Sequence, residues 1–100
     1  RMMILVQRTF HLHDGYSEEF LNRLSKIHDD LQNDETIQTF AVVRPKSAAN
    51  DIIVRYILTE SADWENRMQK DYVKMFIEDT SAYTHSIDTD FQEVVQFYSE

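Results

Sequence analysis

One hundred residues make one domain, 1–100, and 42% hydrophobic content with six Phe, five Tyr and one Trp is enough for a single core without covalent staples. Eighteen Asp and Glu against ten Lys and Arg leave a formal charge of −8, a surface that repels the phosphates of nucleic acid and of anionic lipid, so neither is an expected partner. The absence of cysteine excludes disulfides, iron–sulfur ligation, thiolate zinc sites and a cysteine nucleophile.

Arg1 ahead of Met2 and Met3 reads as a trimmed or engineered start. The longest apolar run near it, Met2 to Val6, is too short for a signal sequence or a spanning helix, so the expected location is the cytoplasm. From Met3 to His13 the side chains alternate: Ile4, Val6, Arg8, Phe10 and Leu12 share one face, and Leu5, Gln7, Thr9 and His11 the other. This is a strand with two partly apolar faces. Asp14 and Gly15 turn the chain, and Ser17 is placed to cap a helix with Glu18 and Glu19 in its first turn. Phe20, Leu24, Ile27 and Leu31 then fall four, three and four apart, one apolar stripe of a helix that reaches about Asn33.

Thr36 to Arg44 reads as a second strand ended by Pro45, and Ile52 to Thr59, rich in β-branched and aromatic residues, as a third in the middle of a sheet. Ser61 is placed to cap a second helix, along which Trp64, Met68, Tyr72, Met75 and Phe76 recur up to about Tyr83. Thr84 to Asp90 reads as a polar loop, and Phe91 to Tyr98 alternates as a fourth strand. The order βαββαβ predicts an α+β, ferredoxin-like antiparallel sheet with two helices on one face. Its other face carries apolar side chains too, and pairing with a second copy into a homodimer would cover them.

With this order, the chain resembles the antibiotic biosynthesis monooxygenase superfamily of dimeric α/β barrels over nearly its whole length. The resemblance is carried by the opening strand, Met3 to Phe10, and by the run from Tyr56 to Trp64 continuing through Met68 to Phe76. It implies a dimeric barrel and an active site in the cleft between the second helix and the sheet. Members include oxygenases of phenols and quinols that use no cofactor, and haem-degrading enzymes. The haem branch has a strand-one Asn, a Trp and an axial His where this chain holds Gln7, Arg67 and Ile77, and Ile cannot ligate iron.

The resemblance implies that Gln7, Thr9 and His11 face this cleft, with His11, Gln7 and Arg67 as catalytic candidates. Thr9, Tyr56, Trp64, Met68 and Tyr72 are the candidates for substrate contact. The same Met and aromatic stripe also reads simply as helix packing. His11 and His13 share a strand face but lack a carboxylate pattern to complete a metal site, so neither a metal nor another cofactor is expected. Asp29, Asp30, Asp34 and Glu35 read as a solvated charge run. Arg8, Arg55 and Glu93 lie within strands, where buried charges need partners: an interior ion pair, or an anion bound from outside. Two functions follow. One is a cofactor-independent monooxygenase of a small aromatic or quinol-type substrate, with His11 as base; the other is a non-catalytic ligand-binding or regulatory module on the same scaffold.

Overall fold

The structure, a computed structural model, describes residues 2–98. The alternation of the opening segment forms β1 (Ile4–Leu12), in which Val6, Phe10 and Leu12 are buried. It pairs antiparallel with β3 (Asp51–Leu58) on one side and β4 (Thr84–Glu93) on the other, and β2 (Ile37–Val43) adds to β3. The resulting sheet order, β2-β3-β1-β4, is that of the split βαβ fold. Side chains of Val6, Phe10, Ile52, Val54, Tyr56 and Leu58 form one core with Phe20, Leu24 and Phe76 from the helices. Phe20 lies 4.9 Å from Phe10 and 5.4 Å from Phe76 between ring centroids, which fixes both helical layers on the same sheet face.

Each expected helix is two helices. The first runs as α1 (Ser17–Lys26) and α2 (His28–Gln32), broken at Ile27, so that Asp29 and Asp30 stand at a helix N-terminus that favours carboxylates. The second runs as α3 (Asp63–Met68) and α4 (Asp71–Thr80), separated by Gln69 and an extended Lys70 with ψ 138°. Neither Ser17 nor Ser61 caps by its side chain. Tyr16 and Ala62 occupy the cap positions, and the Tyr16 ring stacks on Tyr83 at 5.2 Å.

The fourth strand begins at Thr84, seven residues before the expected Phe91, and ends at Glu93. It is an edge strand, exposed along most of its length apart from Thr84 and Ile87, so it has no apolar alternation by which to be recognised. Beyond it Val94 still donates its N–H to the Met3 carbonyl, while Val95, Phe97 and Tyr98 are exposed outside the ladder. Arg55 and Glu93 are exposed as well and form no interior pair with Arg8. No helix among the described residues is long and apolar enough to cross a membrane.

Candidate functional site

Between the sheet and the helices lies a cavity of about 30 Å³, enough for about two water molecules. Its polar lining comes from Arg8 on β1, Tyr56 on β3, Arg67 on α3 and Tyr72 on α4; Phe10, Leu24, Leu31, Phe40 and Phe76 supply apolar walls, and Ile77 also lines it. Three of those walls, Leu24, Leu31 and Phe40, also line an open groove of about 470 Å³ between α1, α2 and β2. The groove and the cavity therefore share these side chains as a common wall.

Arg67 is held at the cavity by a buried carboxylate. Its Nη1 donates to Asp34 Oδ2 at 3.0 Å and to the Tyr72 hydroxyl at 2.8 Å, and Tyr72 itself donates to Asp34 Oδ2 at 2.5 Å. Lys70 Nζ lies 3.0 Å from Asp34 Oδ1, which also accepts the backbone N–H and hydroxyl of Thr36. The expectation of a solvated Asp34 is thus overturned: its side chain is fully buried. Burial alone would raise its pKa, but donation from Thr36, Tyr72 and Lys70 outweighs that and holds the carboxyl well below the usual range. Burial and donation to Asp34 push the Tyr72 phenol up, so it remains a donor.

The guanidinium of Arg67 packs 4.6 Å from the centre of the Tyr56 ring, which in turn stacks on Phe40. Arg67 Nε and the Tyr56 O–H are buried and find no acceptor among the described residues. Burial raises the Tyr56 pKa despite the nearby Arg67 and Arg8, which keeps its O–H as a donor. Arg8 is half-buried, its pKa lowered by desolvation; it lies 5.2 Å from the Trp64 ring and 5.6 Å from Phe10, with Nε donating to Thr89. No carboxylate among the described residues pairs with it.

The site residues expected from sequence are divided by the sheet. Tyr56, Arg67 and Tyr72 line the cavity, and Trp64 reaches its edge by packing on Arg8; Met68 is half-buried outside the lining. Gln7, Thr9 and His11 lie on the opposite face, correcting their expected place in the cleft. The residues of β1 that face the helices are Ile4, Val6, Arg8, Phe10 and Leu12, since neighbours along a strand point to opposite faces. On the open face His11 bridges two aspartates, Nδ1 to Asp51 at 2.8 Å and Nε2 to Asp88 at 2.7 Å. Hydrogen bonds from Asp88 and Asp51 raise its pKa. Among the described residues no group of three His, Cys, Asp or Glu is arranged to hold a metal ion.

No family model matches the chain, and no curated protein matches it by sequence. Solved structures do match. A protein of Caulobacter crescentus CB15, provisionally described as an antibiotic biosynthesis monooxygenase, superposes with TM-score 0.88 at 14% identity, over 96% of this chain and 92% of that one. Another so described, from Nitrosomonas europaea, gives TM-score 0.86 at 6% identity, over 93% and 90%. A conserved protein of Methanosarcina mazei Go1 gives 0.83 at 11% identity, over 91% of each chain. The chain has the fold of the antibiotic biosynthesis monooxygenase superfamily.

Proposed function

We propose that the cleft between sheet and helices binds a small aromatic or quinol-type molecule, and that the chain acts on it as a monooxygenase without metal or flavin. The observation that carries this reading is the pair of buried donors, Tyr56 O–H and Arg67 Nε, without an acceptor among the described residues, in a cavity that shares a wall with an open apolar groove. The provisional description of the solved neighbours supports the reaction class. In this reading a flat ring lies against the walls shared by groove and cavity, with its oxygen towards Arg67 and Tyr56. Asp34 and Tyr72 fix Arg67 beforehand, so its charge is positioned where a ring oxyanion develops. A ring seated against Phe10, Phe40 and Phe76 displaces water from the cavity and leaves that anion to react with dioxygen: a quinol and dioxygen give a hydroxyquinone and water. An oxygen electrode with a panel of phenols and quinols tests the reading; no uptake with any of them would refute the oxygenase.

One observation favours the second reading, a binding module without chemistry. Among the described residues neither a histidine nor a carboxylate lines the cavity, so none of them is an evident base for the substrate proton. Thermal shift with the same panel separates the readings, since ligands that stabilise the protein without consuming oxygen identify a binding module.

We further propose that a second copy covers the open sheet face. Leu5, Ile53 and Ile57 are half-buried there and Val43 is exposed, a row of apolar side chains that a twofold partner would bury against its own.

A further inference from the structure

Resting on the cleft reading above, we infer that the ligand enters as a planar organic anion, an arene carboxylate or an acidic phenol already ionised. Its charged oxygens would be received by Arg67 Nε, the Tyr56 hydroxyl and the Arg8 guanidinium. All three side chains line the same cavity. Arg67 is 5% exposed and Tyr56 3%, and among the described residues neither the Arg67 Nε nor the Tyr56 O–H has an acceptor. A buried donor without an acceptor is costly, and an anionic oxygen, two of them in a carboxylate, offers lone pairs to several donors at once.

The charges point the same way. In a chain of net charge −8, Arg8 and Arg67 both line this cavity, and Asp34 binds Arg67 from outside the lining, where Lys70 also reaches it. Asp34 is already committed to Thr36, Tyr72, Lys70 and Arg67, and among the described residues Arg8 has only the Thr89 hydroxyl and two aromatic faces. The cavity is too small for a whole aromatic ring but suits a carboxylate or phenolate head. The ring then lies against Leu24, Leu31 and Phe40, the side chains that cavity and groove share. A pre-formed anion also removes the need for a base.

Trp64, the one tryptophan of the chain, packs on Arg8 and reports on the site by its fluorescence. Benzoate and its neutral isostere benzamide are titrated at pH 7 into the intact protein and into Arg8→Gln and Tyr56→Phe. Benzoate is expected to bind at least about tenfold more tightly than benzamide, the scale of a hydrogen bond to a charged group. Each variant should bring that ratio towards one while keeping the far-ultraviolet circular dichroism of the fold; if Arg8→Gln does not fold, Tyr56→Phe decides. Equal binding of the two ligands overturns the anion inference and leaves the cleft reading intact. A benzoate preference that survives both substitutions places the anion elsewhere and overturns it too. Binding of neither also overturns it, and oxygen uptake then judges the cleft reading on its own.

Discussion

Arg67 and Tyr72 stand five residues apart in sequence, yet the Arg67 Nη1 and the Tyr72 hydroxyl meet at 2.8 Å and both donate to Asp34 Oδ2. On one unbroken helix, side chains five apart project about 140° away from each other. The extended Lys70 between α3 and α4 removes that constraint and places its own ammonium on the other Asp34 oxygen. The helix break therefore builds the charged floor of the cleft.

Removing that carboxylate should leave two cations without their counter-charge. Asp34→Ala is expected to lower unfolding free energy by about 3–5 kcal/mol, the range for breaking a buried ion pair on one side. Tyr72→Phe, which deletes one donor and keeps the ring, should cost about 1.5–3 kcal/mol. Urea denaturation followed by circular dichroism measures both. Losses below about 1 kcal/mol in each would show Asp34 to be solvated.

The two titrating clusters predict opposite dependences on pH. Asp34 has a depressed pKa in the folded state, so its contribution is complete above the unfolded carboxylate value near 4 and is lost as pH falls through the folded one. His11 has a raised pKa, so its contribution is complete below the unfolded value near 6.5 and is lost as pH rises through the folded one. Asp34→Asn should flatten the acid limb of a stability profile and His11→Gln the neutral-to-alkaline limb. A His11 imidazole titrating below 6.5 by NMR would contradict the bridge to Asp51 and Asp88.

Much of the architecture was legible because burial was periodic. The alternation of β1 and β3 and the stripe of Phe20 and Leu24 each mark a core face directly. Edge strand β4 was not legible, since Thr84 to Asp90 is mostly exposed and its polar residues look like a loop. Asp34 was hidden for another reason: beside Asp29, Asp30 and Glu35 it looks like the rest of a solvated run, and its partners Arg67 and Tyr72 lie 33 and 38 positions away. Arg8 carried the usable signal, a cation among apolar residues on the core-facing side of its strand. The family resemblance drew attention to Gln7 instead, one residue out of phase.

The open sheet face predicts a mass near twice the single-chain 11.9 kDa by light scattering coupled to size exclusion. Ile57→Asp changes that face alone and should give a folded monomer. Phe10→Asp should instead unfold the chain, because Phe10 is 2% exposed and packs between Phe20 and Phe76. A wild-type protein that stays at single-chain mass at micromolar concentration would remove the dimer.

Tyr56→Phe tests the orphaned donor in the absence of any ligand. An ordinary buried tyrosine loses a hydrogen bond on this substitution and the protein is destabilised by about 1 kcal/mol. Here the hydroxyl proton has no acceptor among the described residues, while the ring keeps its contacts with Phe40 and Arg67. The folded state is relieved of a desolvated donor and gives up no bond, so stability should be unchanged or higher by up to about 1–2 kcal/mol. Thermal and urea melts of the two proteins decide it. A clear loss would mean that the hydroxyl has an acceptor in the free protein, and the cavity would then be a satisfied part of the core. A neutral or stabilising result combined with lost benzoate binding is the pattern of a group kept for its ligand at a cost to the fold.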